Sequence, residues 1–189
     1  GNLKPGGKEI RMIFEKSPDN YIDTEGSELI IDIEDFERLP QSGLLDGLHS
    51  IFIVENEMVY LTFPHVKNAL CLWGQGFSVT QLKNCSWFCD YNLFYFGDLD
   101  EHGFLILSDF RKNFPNTKSF CMTGEIFDQY VAFKVKGKRL SNSEIPANLT
   151  EDEKTVFQAL KASTLNRLEQ ERICLSDIVA AVNSLAAEG

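Results

Sequence analysis

Asp98 and Asp100 stand two residues apart in the run Gly97-Asp98-Leu99-Asp100-Glu101-His102-Gly103, just after the apolar and aromatic stretch 93–96. On an extended chain, residues i and i+2 face the same side, so these two carboxylates can converge. Adjacent carboxylates repel unless a proton or cation lies between them. Their hard oxygens suit Mg²⁺ or Mn²⁺ rather than zinc. A helix cap accounts for one aspartate at such a place, but not for two. Phe104, Leu107 and Phe110 resume the apolar pattern at helical spacing, so a strand delivers the pair to the start of a helix at about 101–113.

Other segments must position that pair. Ser50-Ile51-Phe52-Ile53-Val54 reads as a strand buried on both faces and closes on Glu55-Asn56-Glu57. Ala69–Trp73 is a second such strand, closing on Gly74-Gln75-Gly76, and Thr117–Cys121 is a further one. The intervening stretches predict helices at Met58–Phe63, from the capping-box pattern Ser78-Val79-Thr80-Gln81 to Cys85, and at Glu125–Tyr130. This alternation predicts an α/β fold, a Rossmann-like, mainly parallel sheet flanked by helices. Sites in such sheets lie at the carboxyl ends of strands, where Glu55, the Gly74 turn and Asp98 with Asp100 all fall.

Three segments follow from this pattern. Residues 1–48, with strands at Ile10–Phe14 and Glu28–Ile33 and a helical turn at Asp35–Leu39, form an N-terminal β extension. Residues 49–145 are the core. Residues 146–189 are a C-terminal helical segment opened by the capping box Thr150-Glu151-Asp152-Glu153. Its first helix buries Val156, Phe157 and Leu160, its second Leu165, Leu168 and Ile173, and its third runs over Leu175–Leu185.

With 189 residues, 43% of them hydrophobic, the chain suits one domain with a sizeable core. No apolar run approaches the ~18 residues of a membrane span, so no membrane partner is expected. Five cysteines without a Cys-x-x-Cys pair read as buried free thiols in a reducing cytoplasm. The net charge of −10 disfavours non-specific nucleic-acid binding. A DNA-directed role therefore needs a bound cation, a basic partner or a local patch, for which Lys134, Lys136, Lys138 and Arg139 are the candidates. The leading glycine suggests a tag scar on a domain excised from a longer protein.

Four ordered motifs resemble one family. Val54-Glu55-Asn56-Glu57, Trp73-Gly74-Gln75-Gly76, Gly97-Asp98-Leu99-Asp100-Glu101-His102-Gly103 and Arg167-Leu168-Glu169-Gln170-Glu171-Arg172-Ile173 are similar to the Toprim-containing C-terminal domain of JetD, the nuclease subunit of the Wadjet plasmid-defence system. The resemblance covers roughly residues 28–185. It implies a Toprim-like fold related to that of the topoisomerase VI A subunit, with Mg²⁺ or Mn²⁺ held by Glu55, Asp98 and Asp100. It further implies cleavage of circular duplex DNA presented by ATPase partners of the structural-maintenance type. Activity is then expected as a Mg-dependent endonuclease in the assembled system. A homodimer is left open. The nucleophilic tyrosine of topoisomerase relatives lies upstream of this segment, so Tyr91, Tyr95 and Tyr130 do not inherit that role.

Supporting roles divide between readings. Glu57 could be a second ligand or a carboxylate opening a helix, where it favours the dipole. His102 reads first as a helix-start residue and second as a catalyst. Arg167, Glu169, Glu171 and Arg172 would ordinarily be a solvated helix face, with Arg167 and Glu171 at i,i+4; the resemblance brings Glu169 or Glu171 toward the carboxylates. Cys85 and Cys89 read as core thiols rather than zinc ligands. Two rival functions remain: a non-catalytic Toprim-like assembly module, and a phosphatase of the haloacid-dehalogenase type, whose Asp-x-Asp sits on the first core strand with a nucleophilic first aspartate.

Overall fold

The computed structural model describes residues 9–15, 28–74, 79–140 and 144–187. Six strands share one sheet in the order β2-β1-β4-β3-β5-β6. They are β1 (Glu9–Glu15), β2 (Glu28–Asp32), β3 (Ser50–Val54), β4 (Ala69–Trp73), β5 (Asn92–Phe96) and β6 (Lys118–Ser119). The fold is α/β with a mostly parallel sheet, as the alternating pattern requires. β3 and β4 run parallel, with Ser50 opposite Ala69 and Val54 opposite Trp73, so both strands end level. The N-terminal extension is the antiparallel part: β1 pairs antiparallel with both β2 and β4. The chain divides into two compact units, Gly1–Phe94 and Tyr95–Gly189.

In the first unit, β3 and β4 are buried almost throughout, which their unbroken apolar sequences demand. Two short helices accompany them, α1 (Ile33–Glu37) and α2 (Glu57–Leu61), the latter capped by Asn56, whose side chain accepts from the Val59 N–H. The helix expected to reach Cys85 is replaced among the described residues by 3₁₀ turns at Val79–Leu82 and Ser86–Asp90. Leu82, Cys85 and Phe88 are fully buried, and their spacing of three matches the three residues per turn of that helix. Ser78, the expected cap, and Gln75-Gly76 lie outside the described residues. Phe36, Trp87 and Phe88 close this part of the core with ring centroids 4.7–5.7 Å apart.

The second unit is built on α3 (Glu101–Asn113), followed by β6, α4 (Gly124–Gln129), α5 (Glu151–Ala162) and α6 (Leu175–Ala187). β6 is shorter than expected because Cys121 adopts φ 57°, which an extended strand cannot continue. The capping box at Thr150 forms as its sequence predicts, with Glu153 reaching back to the Thr150 N–H. The expected helix carrying Leu165, Leu168 and Ile173 does not form. Arg167 pairs with Val135 and Leu168 with Leu99 in strand-like bridges, and only Gln170–Arg172 makes a 3₁₀ turn. Backbone groups that bond outward cannot close i→i+4 rings, so the apolar spacing there serves an extended segment. The thiols divide too: Cys71, Cys85 and Cys121 are buried, whereas Cys89 and Cys174 are exposed, contrary to the reading of all five as core groups.

One buried ion pair ties α3 to α5. Arg111 donates to both Glu153 oxygens (2.5 and 3.0 Å) and to the carbonyls of Thr117 and Asn148, while Ser119 adds a further bond to Glu153. Burial pushes the Glu153 carboxyl up, but these donors outweigh it and hold the group below its ordinary value. A depressed carboxylate stabilises the fold above its unfolded value of about 4.5 and loses that contribution as pH falls through the folded value. Glu153→Gln should therefore destabilise the protein at pH 7 by about 3 kcal/mol and flatten the loss of stability below about pH 4.5. Denaturant melts of both forms across that range measure it. An unchanged acid limb in the variant would assign the effect elsewhere.

Candidate functional site

Past β5 the chain makes its turn into α3 through the two aspartates. Asp100 is the helix cap, extended at φ −148°, ψ 173°, with its Oδ1 accepting from the Gly103 N–H at 2.6 Å. The turn is so tight that a Cβ on Gly103 would lie 2.1 Å from the Asp98 carbonyl oxygen. Only glycine fits there, which gives the glycine after the Asp-x-Asp pair its physical reason.

The segment 166–170 closes over this turn. Leu99 and Leu168 exchange two backbone hydrogen bonds of 3.0 Å. Fully buried Gln170 donates its side-chain amide to the Phe96 carbonyl and its backbone N–H to Asp98 Oδ1, both at 3.0 Å. Arg167 sits among the carboxylates: Nη2 lies 2.9 Å from Asp98 Oδ2 and 3.7 Å from Glu169, and Nε lies 3.4 Å from Asp100 Oδ2.

The electrostatics follow from that packing. Burial pushes the Asp100 carboxyl above its ordinary value and the charge on Asp98 adds to it, against the Gly103 N–H and Arg167. Burial also raises Glu171, as do a hydrogen bond and charge from Glu169 and the charge of Asp98. The Arg167 guanidinium is held more firmly protonated by Asp98, Asp100 and Glu169, despite its own burial. The charge of Asp98 thus acts on both Asp100 and Glu171, and Arg167 is the counter-charge of Asp98, Asp100 and Glu169.

Each remaining predicted residue has local contacts of its own, and His102 also bears on Asp100 through its charge. Glu55 directly follows β3 in the first unit; its backbone carbonyl accepts from Trp73 Nε1 at 2.9 Å, and its carboxylate lies over Gly74, where a Cβ would come within 2.9 Å of Oε1. Glu57 opens α2 and pairs with Arg11 at 3.3 Å, as the helix-opening reading requires. His102 is exposed on the first turn of α3. In the lysine loop, Lys134 lies 3.7 Å from the centre of the Phe127 ring and Arg139 donates to the carbonyls of Lys161 and Ser163, while Lys136 and Lys138 are exposed.

Arg167 and Gln170 are the residues that sequence reasoning undervalued. A solvated helix face is the wrong description of Arg167, because its backbone is extended and its side chain turns to Asp98. The usable signal was the alternation Arg167-Leu168-Glu169-Gln170, in which Arg167 and Glu169 share one side of an extended chain.

Among the described residues, no group of three or more His, Cys, Asp or Glu side chains is arranged as a metal-holding set. The donor chemistry nevertheless fits a hard cation: carboxylate oxygens already gather around one positive charge. In addition, Glu101 Oε2, on a residue only 1% exposed, has no hydrogen-bond partner.

Gly103→Ala should destabilise the fold by about 1–3 kcal/mol through the clash with the Asp98 carbonyl. Gly124→Ala, whose added carbon would meet nothing closer than 3.9 Å, should be near neutral. Parallel urea melts compare them, and equal effects would refute the tight turn as the reason for Gly103.

The family model for the C-terminal region of the Wadjet protein JetD matches residues 12–182, most of the chain. The chain therefore belongs to the JetD C-terminal family, and through it to Wadjet defence. No curated protein matches it.

Proposed function

As a JetD C-terminal domain, this chain is, we propose, the metal-dependent DNA-cleaving module of a Wadjet system, of Toprim type. The observation that carries the reading is the convergence of Asp98, Asp100 and Glu169 around a single positive charge just beyond β5. Carboxylates so gathered call for a cation.

Asp98 and Asp100 would hold Mg²⁺ or Mn²⁺, with Glu169 and Glu171 as neighbouring donors. A bound divalent ion supplies neutralisation of the scissile phosphate and activation of a water. Glu55 enters the proposal from the resemblance, as a further ligand or as the base that takes the water's proton. Gln170 keeps Asp98 oriented through its backbone N–H. Lys136 and Lys138 attract the DNA backbone, offsetting the overall negative charge. The partners in this reading are circular duplex DNA and structural-maintenance-type ATPase subunits, and the compartment is the cytoplasm.

In the complete Wadjet assembly, Asp98→Asn should lower plasmid cleavage by more than about a hundredfold, because metal activation contributes several kcal/mol to the transition state. Assembly of the complex should persist. Retained cleavage would overturn the catalytic reading. Loss of assembly, with cleavage indifferent to the metal ligands, would favour the rival, a non-catalytic assembly module. A phosphatase with Asp98 as nucleophile finds less support: both Asp98 oxygens accept hydrogen bonds, from Arg167 and from the Gln170 N–H.

A further inference from the structure

We propose that Arg167 is a latch on the acidic site: its guanidinium stands where a divalent ion would bind between Asp98 and Asp100, and a nucleic-acid phosphate at Lys136 and Lys138 draws it away. This rests on the metal-site reading above and adds a mode of regulation to it.

The first support is the contact geometry. Arg167 reaches Asp98 at 2.9 Å, Asp100 at 3.4 Å and Glu169 at 3.7 Å. One positive group thus faces three carboxylates from two segments, as a metal ion would. Coulomb repulsion between like charges a few ångströms apart disfavours simultaneous occupancy by the guanidinium and a divalent cation.

The second support is that the hold is incomplete. Arg167 Nε is buried, yet its 3.4 Å approach to Asp100 does not make a hydrogen bond. The side chain is 35% exposed, so one side is open to a ligand. Arg111 differs on both counts: its side chain is 8% exposed, and four hydrogen bonds tie it to Glu153, Thr117 and Asn148. Arg111 is fastened, whereas the Arg167 guanidinium is only partly enclosed and incompletely bonded, so another anion can compete for it.

The third support is the coupling to the lysine loop. The Arg167 backbone is pinned: it exchanges hydrogen bonds of 3.0 and 2.9 Å with Val135, and the adjoining Leu168 is bonded to Leu99. The side chain must therefore do the moving. Its stem lies against Gly137, where an added Cβ would be 2.9 Å from the Arg167 Cβ and 3.2 Å from its Cδ. Gly137 is held by Asn166 Oδ1 at 2.8 Å and is flanked by the exposed Lys136 and Lys138. A phosphate attracted by those lysines arrives beside the stem of the latch. Guanidinium groups bind phosphate in the same forked geometry as carboxylate, so the arginine can exchange one anion for the other.

The test measures Mn²⁺ binding through the electron paramagnetic resonance signal of the free ion, with and without a short DNA duplex. Arg167→Gln and Arg167→Met should bind Mn²⁺ at least about tenfold more tightly than the wild type, roughly 1.4 kcal/mol. Lys112→Ala removes an exposed charge in the last turn of α3, a residue with no part in the latch, and should change duplex-free affinity less than about twofold. Duplex should tighten Mn²⁺ binding by the wild type and leave the Arg167 variants nearly unchanged. Thermal melts establish that the variants are folded. Equal Mn²⁺ affinity in folded wild type and Arg167 variants would overturn the latch while leaving the metal site standing. An equal effect of duplex on both would do the same. No Mn²⁺ binding by any form, with or without duplex, would overturn the metal-site reading, and the latch with it.

Discussion

Backbone hydrogen bonds that water cannot reach must be made somewhere, and the second unit depends on where those beyond β5 are made. A buried carbonyl or N–H left unpaired costs on the order of 1–3 kcal/mol. The Phe96 carbonyl is paired by Gln170, the Leu99 N–H and carbonyl by Leu168, and Asp98 by the Gln170 N–H and Arg167. Three residues of one short segment, Arg167, Leu168 and Gln170, thus complete the polar groups of the turn between β5 and α3. That requirement makes Arg167 and Leu168 extended, and it brings Arg167 and Glu169 to the aspartates.

Two arginines of the same unit display how burial divides structural from exchangeable charge. Arg111 is enclosed and its bonds are complete, so its removal leaves Glu153 unpaired in the interior, a strongly destabilising outcome. Arg167 balances more carboxylates but remains partly open, and its Nε lacks a bonded partner. A complete, buried pair holds helices together. An incomplete, accessible pair is the kind that another ligand can displace.

The same distinction runs through the lysine loop. Lys134 rests on the Phe127 ring and Arg139 satisfies the carbonyls of Lys161 and Ser163 at the end of α5. These two cations are committed to the fold, Arg139 from an exposed position, whereas among the described residues Lys136 and Lys138 are exposed without such contacts. Local basic character in a chain of net charge −10 is therefore narrower than the sequence run suggests, and it lies on either side of Gly137, against the Arg167 stem.

Much of the architecture is local and could be read directly. The unbroken apolar runs at 50–54 and 69–73 are strands to the residue, α3 spans 101–113 as its spacing predicts, and the capping box at Thr150 starts α5. Each rests on side-chain periodicity or on a cap within one turn, so neighbouring residues decide it. Asp98 and Asp100 were likewise legible as a strand-end carboxylate pair, since i and i+2 converge on extended backbone. What tertiary structure alone decided is the conformation of residues 165–173 and the identity of the charge facing that pair. Apolar spacing of three to five suits a helix, but the bridges from Arg167 to Val135 and from Leu168 to Leu99 span 32 and 69 positions. No local pattern encodes partners that distant. Long-range backbone pairing overrode local periodicity there and turned an apparently solvated arginine into the counter-ion of Asp98 and Asp100.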